Sequence, residues 1–403
     1  MAQKLKFGNG TWATKEGSTL AYNDENENYK PLPFSFTRDS IATRVNKQGL
    51  IEVVGKDIPR IDYTDSAEGV LLLEPQSTNL ILNSQKISLT PTKSGNFVDN
   101  FAISPDGTQN ATKLTSTSTD PFFYQNVTFS AADYTSSLYV KGIGNSIGKE
   151  FRFNIKGITH SSNKYIIPSE WKRFDFTATV TSGSGTIGLE LPDPSVIGDE
   201  VLVWGWQLEQ GSYSTSYIPT NGSSVTRQAE TANDSGNSEV FNDSEGVLFA
   251  DISALADIPT SDQYITLGDG ARTSPVSLRF SSLGEIIYYH AGLNSANIVS
   301  TITSGNADLT QSNKIALRYG NTASNCYLFF NGFKQANLGS FVFSALSTLN
   351  QLSFSEDLGG SNFYGKTKEI GYYDTALTDA ELETLTSYRS LNELVTELNL
   401  NTL

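Results

Sequence analysis

The 403-residue chain holds one cysteine, Cys326, one methionine and two histidines, His160 and His290. A single cysteine excludes an intramolecular disulfide and any cysteine-based zinc cluster. A Ser-His-Asp or Cys-His arrangement would need one of the two histidines, and neither lies in a nucleophile-elbow context. Charge is sparse and one-sided: 18% of residues are charged, with 28 Lys and Arg against 43 Asp and Glu, for a net charge of −15. Such a surface repels phosphate backbones and anionic membranes, so neither nucleic acid nor a membrane is an expected partner. No apolar run is long enough to span a bilayer, and the polar first residues lack a signal-peptide core. The reading is a soluble chain made in the cytoplasm. Walker and dinucleotide-binding fingerprints are also missing; the Gly-rich stretch 142–148 follows no βαβ pattern and reads as a loop.

What the chain has is glycine (33 residues), many Ser, Thr and Asn, 18 Tyr and 22 Phe. That is the profile of short strands joined by polar turns, with aromatic and β-branched side chains on pleated surfaces. The fold class expected is therefore all-β. The length exceeds one hydrophobic core and divides into a small N-terminal β connector followed by two β-sandwiches and a short C-terminal helix. Residues 1–80 contain the alternating Phe34–Arg38 run and a hairpin, Ala42–Asn46 and Leu50–Val54, about Lys47-Gln48-Gly49. Residues 81–228 carry seven alternating runs separated by turn chemistry such as Pro105-Asp106-Gly107. Residues 229–245 are small, polar and acidic and read as a linker. Residues 246–390 hold a further set of strands, an Asn331-Gly332 hairpin turn and a capping box, Thr378-x-x-Glu381, opening a helix. In 391–403, Leu391, Leu394, Val395 and Leu398 form a short amphipathic stripe.

Three stretches carry a family resemblance. Trp204-Gly-Trp-Gln-Leu-Glu-Gln-Gly through Ile218-Pro219, with Trp171-Lys-Arg-Phe-Asp-Phe before it, resembles the closing strands of carbohydrate-binding-module-like jelly rolls found in bacteriophage virion proteins. Phe36-x-Arg-x-Ser-x-Ala-Thr-Arg-Val and Pro59-Arg-Ile-Asp-Tyr, ahead of Leu-Leu-Leu-Glu74-Pro-Gln-Ser-Thr-Asn-Leu, resemble a module at the front of phage structural proteins. Cys326-Tyr-Leu-Phe-Phe-Asn-Gly-Phe, with Leu377-Thr-Asp-Ala-Glu-Leu, resembles the concanavalin-A-like (laminin-G-like) sandwich. The resemblance implies a virion component, a head fibre, decoration or tail fibre. Its N-terminal unit would engage other virion proteins, its sandwiches would meet surface glycans, and it would assemble as a homotrimer.

Sugar binding needs exposed aromatic faces beside polar groups that read hydroxyls. Phe122, Phe123, Tyr124, Tyr213 and Tyr217 in the second unit, and Tyr288, Tyr289, Arg318 and Tyr364 in the third, could form such a platform. Tyr124, Tyr213, Tyr217, Tyr288, Arg318 and Tyr364 are the six candidates. The competing assignment for each aromatic is core, since alternate members of a strand face inwards. Trp204 and Trp206, two residues apart, are expected on one face in the core. No catalytic residue is expected. A glycosidase would need two facing carboxylates from a set such as Glu209, Asp193, Asp199, Glu285 and Asp374, and Glu209 reads better as a hydrogen-bonding structural acid. No cofactor is called for. The loop aspartates Asp106, Asp193, Asp199, Asp269 and Asp357 would suit one structural Ca²⁺, or would cap their own turns. The leading function is a virion adhesin; the alternatives are a structural adaptor without a sugar site and a capsule depolymerase.

Overall fold

The computed structural model describes residues 3–20, 31–119, 121–159, 164–271, 275–292, 295–302, 308–320, 322–336, 348–388 and 390–397. His160 and the acidic-amide loop 23–28 lie outside them. Nearly all the regular structure is strand, and the described α-helices are Asp379–Thr386 and Leu391–Glu397. None is long and apolar enough to cross a membrane. The chain divides into two compact units, one of Ser40–Val53 and Gln76–Gln228, the other of Met1–Asp39, Val54–Pro75 and Ala229–Leu403.

This division corrects two boundaries. Residues 1–80 are not a separate connector, because the chain passes back and forth and each unit takes part of them. Residues 229–245 are not a linker: Thr231–Asn233 pairs with Phe34–Thr37, and Ala232 and Phe241 are core residues. Their polar composition misled because Glu230, fully buried, spends its charge on two arginines. Arg38 Nη1 donates to Glu230 Oε1 at 2.6 Å, Arg60 Nε donates to the same oxygen at 2.9 Å, and Arg60 Nη2 also reaches Glu74 Oε2 at 2.8 Å. The Glu74 amide donates to Glu230 Oε2 at 2.9 Å. Burial alone would lower the Arg60 pKa; Glu230 and Glu74 outweigh it and raise it, keeping the guanidinium charged. The N-terminal motifs therefore supply Arg38, Arg60 and Glu74 to one charge-balanced buried cluster, the condition under which buried ions are tolerated.

The larger unit is a sandwich of antiparallel strands. An eight-stranded sheet includes Gly246–Ala254, Asn313–Tyr319 and Gly365–Tyr373, and takes up Gln3–Gly8, Arg60–Asp62 and Val70–Leu73 from the start of the chain. Its core shares one cluster with a five-stranded sheet that includes Gln263–Gly268, Val276–Phe280 and Ile286–Gly292. Asn331 and Gly332 adopt φ of 48° and 88°, as a tight hairpin turn requires. The capping box forms, with Thr378 Oγ1 accepting from the Glu381 amide and Glu381 Oε2 accepting from the Thr378 amide. The short helix Leu391–Glu397 is tied to its own unit by Lys314 Nζ donating to Glu393 Oε1 at 2.5 Å.

The smaller unit is a second sandwich. Its six-stranded sheet contains Thr92–Ser94, Phe122–Phe129, Gly183–Asp193 and Glu150–Ile155 in that order. Its five-stranded sheet runs Asn96–Ile103, Gln109–Thr115, Glu200–Gln210, Ala132–Ile143, Lys172–Val180. Between them lie Phe123, Leu138, Phe151, Phe153, Leu189, Val203 and Trp206. Trp204 and Trp206 do not share a face. The register slips between Ser137↔Gln207 and Tyr139↔Trp204, and Gly205 takes φ of 67°. This bulge turns Trp206 into the inter-sheet core and Trp204 to the other side, against Tyr217.

Candidate functional site

Alternation on the strand Phe122–Phe129 sends Phe123 inwards, edge-on to Trp206 at 4.9 Å, and leaves Phe122 and Tyr124 half-buried on the outer face. Their rings stack side by side, 4.8 Å between centroids and 18° from parallel. The registers of the neighbouring strands set two rows across this face. One row is Ser94, Phe122, Glu190, Arg152; the next is Thr92, Tyr124, Gly188, Asn154. Gly188 matters here by what it lacks, since a Cβ there would lie 1.8 Å from Tyr124 Cδ1. The tyrosine ring thus lies down across the neighbouring strand and presents a flat surface.

Polar groups border that surface. The Tyr124 hydroxyl donates to Glu190 Oε1 at 3.1 Å, and Arg152 Nε lies 3.5 Å from Glu190 Oε2. Arg152, Asn154 and Glu190 are each partly exposed, and Asn126 and Thr128 further along the aromatic strand are exposed. The arrangement is a flat two-ring platform beside a carboxylate, a guanidinium and an amide. Such a surface can stack the C–H face of a sugar ring and hydrogen-bond its hydroxyls. Arg152, Asn154 and Glu190 are absent from the residues expected from sequence, whereas Phe122 stands there beside Tyr124 as part of a platform. The alternating Phe122-Phe123-Tyr124 run was the available signal, and only strand pairing brings Glu190 and Arg152 to it.

Two of the six expected residues are corrected by burial. Tyr217 is buried, its ring 4.5 Å from Trp204 and its hydroxyl sharing a hydrogen bond with Ser84 Oγ at 2.6 Å. Tyr288 is completely buried in the core of the larger unit. In both, burial pushes the phenol pKa up. Their strand and loop faces turn inwards, where no glycan reaches. Arg318 is committed to structure: Nη1 donates to Leu377 O at 3.0 Å and Asp379 Oδ1 at 2.8 Å, and Nε donates to Asn325 O at 3.2 Å. Tyr364 packs half-buried against the larger unit's core, and Tyr213 is half-buried on the segment after Gly211. Tyr124 alone of the six falls on the platform.

The carboxylates considered for hydrolysis or calcium have local partners. Glu209 accepts from Ser77 Oγ at 2.5 Å, Gln207 Nε2 at 2.6 Å and the Thr215 amide at 3.0 Å, so it braces the segment after the Trp-Gly-Trp strand. Asp199 pairs with Lys149 and accepts from the Val196 amide. Glu285 meets Ser281, and Asp374 lies 3.6 Å from Lys4. Asp106 accepts from the Thr108 amide and hydroxyl and from Asn110, Asp269 from the Ala271 amide, and Asp357 from the Gly270 amide. The Asp193 and His290 side chains lie outside the described residues. Among the described residues no three acids, histidines or cysteines gather as a metal site.

No family model matches the chain. No curated protein matches it either. Among solved structures, the chain is similar to the CBM40 of Ruminococcus gnavus IT-sialidase bound to α2,3-sialyllactose, with TM-score 0.29 and 18% identity over 36% of this chain and 83% of that one. It is similar to domain 4 of AbnA, a GH43 extracellular arabinanase from Geobacillus stearothermophilus in complex with arabinotriose, with TM-score 0.33 and 13% identity over 44% and 84%. The receptor-binding domain of botulinum neurotoxin type G gives TM-score 0.28 and 11% identity, covering 38% of each chain. These likenesses leave the assignment of function to the residues themselves.

Proposed function

We propose that the smaller sandwich is a carbohydrate-binding module and that the Phe122–Tyr124 platform is its glycan site. The observation that carries the reading is the stacked, half-exposed aromatic pair lying over Gly188 beside Glu190 and Arg152. Both charges flanking the rings belong to one opposed pair, which favours neutral glycans over anionic ones. The rings supply affinity by stacking; Asn154, Arg152 and Glu190 supply orientation. The role is binding without bond cleavage. Phe122→Ala with Tyr124→Ala, assayed on a glycan array of bacterial surface polysaccharides, should lose at least about tenfold in affinity while remaining folded with a cooperative thermal transition. Wild-type-like binding by that variant would sink the site, and release of new reducing ends would turn the reading to a depolymerase.

We further propose, on the resemblance of the Trp204–Pro219 and Phe36–Leu80 motifs, that the chain is a component of a phage particle, assembled as a homotrimer. The surface glycans of a host or its environment would then be its targets. Detection of the chain in purified particles by mass spectrometry, and a trimer mass by light scattering, are the results expected. Absence from particles would end the virion reading and leave the glycan site standing; a monomer would end the trimer.

A further inference from the structure

The larger unit carries a cleft of about 380 Å³ that plays no part in the platform. That volume falls in the range of about 300–1,000 Å³ usual for small-ligand sites. Its floor is formed by the paired strands Gly246–Ala254 and Gly365–Tyr373, with Ser253 opposite Lys366. The register slips here, from Asp251↔Glu369 to Ile252↔Thr367, so Lys368 is the extra residue of a bulge. Residues two apart share a strand face, so Lys366 and Lys368 both line the cleft, together with Asp251 and Ser253. One wall is the loop Thr310–Ser312, fixed by Ser312 Oγ donating to Asp251 Oδ1 at 2.5 Å. Asp65, ion-paired to Lys366, contributes another.

Only Val70 and Ile252 in this lining are apolar; the rest presents hydroxyls, the Gln311 amide, two ammonium groups and two carboxylates. An apolar ligand would strip water from those groups and offer nothing in return. A ligand of either charge would meet like charge as well as opposite charge. A hydroxyl-rich ring satisfies donors and acceptors together and brings no charge of its own. We infer that this cleft is a carbohydrate subsite in its own right, taking a single pyranose residue through its hydroxyls. It stands or falls independently of the platform on the other unit.

Saturation-transfer NMR on the full chain with the methyl glycosides of glucose, galactose, mannose and N-acetylglucosamine tests this. The wild type and the Phe122→Ala/Tyr124→Ala variant should both transfer saturation to at least one glycoside. Lys368→Met and Gln311→Ala, on separate elements and each added to the platform variant, should each weaken that binding by about tenfold, equivalent to about 1.4 kcal/mol. Two variants guard against a folding defect in one, and the platform variant separates this site from the first. Absence of transfer at about 10 mM glycoside, tenfold above a Kd of about 1 mM, would overturn the subsite. Transfer left unchanged by both cleft variants would overturn it as well.

Discussion

On the outer face of the five-stranded sheet of the smaller unit, Trp204 is fully buried against Tyr217 and Ile51, whereas on the outer face of the six-stranded sheet Phe122 and Tyr124 stack together and stay half-exposed. The same sandwich therefore carries two aromatic outer faces with opposite fates. The first is covered by the segment after Gly211 and by the hairpin Ala42–Val45 and Ile51–Val54, with Thr43 Oγ1 donating to Tyr217 O at 2.5 Å. The second has polar neighbours and, among the described residues, no covering segment. An aromatic residue on an outer face thus becomes core or stays half-exposed according to what other chain segments lie over it. Its own strand does not decide.

The comparison is broken most forcefully on the covered face. Trp204→Ala removes a fully buried indole and should cost about 3–5 kcal/mol in a denaturant titration. Tyr124→Ala, at a half-exposed ring, should cost under about 1.5 kcal/mol in the same titration. Equal costs would mean that the two faces do not differ.

Charge pairs repeat the contrast. Glu230→Gln leaves two buried guanidinium groups short of a counter-ion and should destabilise the larger unit by about 3–5 kcal/mol. Glu190→Gln, in the partly exposed pair with Arg152, should shift chemical denaturation by under about 1 kcal/mol and act on glycan affinity instead. Gly205→Ala forces a side chain into a left-handed backbone of φ 67° and should cost about 1–2 kcal/mol, read as a lowered Tm.

The smallest effect concerns pH. Burial pushes the Asp106 carboxyl up, but hydrogen bonds from Thr108, Asn110 and Ser104 outweigh it and hold its pKa below the usual carboxylate value. A depressed folded pKa stabilises the folded state above the unfolded value of about 3.9, and that contribution is lost as pH falls through the folded pKa. The loop carrying Asp106 supports the covering hairpin, since the Ile51 amide donates to Pro105 O at 3.0 Å. The protection factors of amides in Ile51–Val54, taken relative to intrinsic exchange at each pH, should fall below about pH 4, with the platform strands unaffected.

The all-β class, the hairpin at Asn331-Gly332, the capping box at Thr378 and the structural role of Glu209 were legible because each rests on local chemistry. What was not legible depends on pairing between distant segments. Residues 229–245 look like a linker until Phe34–Thr37 pairs with Thr231–Asn233 and two arginines arrive for Glu230. Trp204 and Trp206 look like neighbours on one face until a bulge at Gly205 separates them. Tyr217 and Tyr288 have the composition of a sugar platform, and period-two alternation leaves open which face of each element is wet. Tyr124 was found from its run of aromatics, but its partners Gly188, Glu190 and Arg152 come from strands 28 or more residues away in sequence.

The most direct test of the account compares glycan binding and stability for the wild type, Phe122→Ala/Tyr124→Ala and Tyr217→Ala on one bacterial polysaccharide array. The account predicts that the platform variant loses at least about tenfold in binding with only a small drop in Tm, and that Tyr217→Ala lowers Tm more. Loss of binding from Tyr217→Ala at unchanged Tm, with the platform variant still binding like wild type, would contradict it.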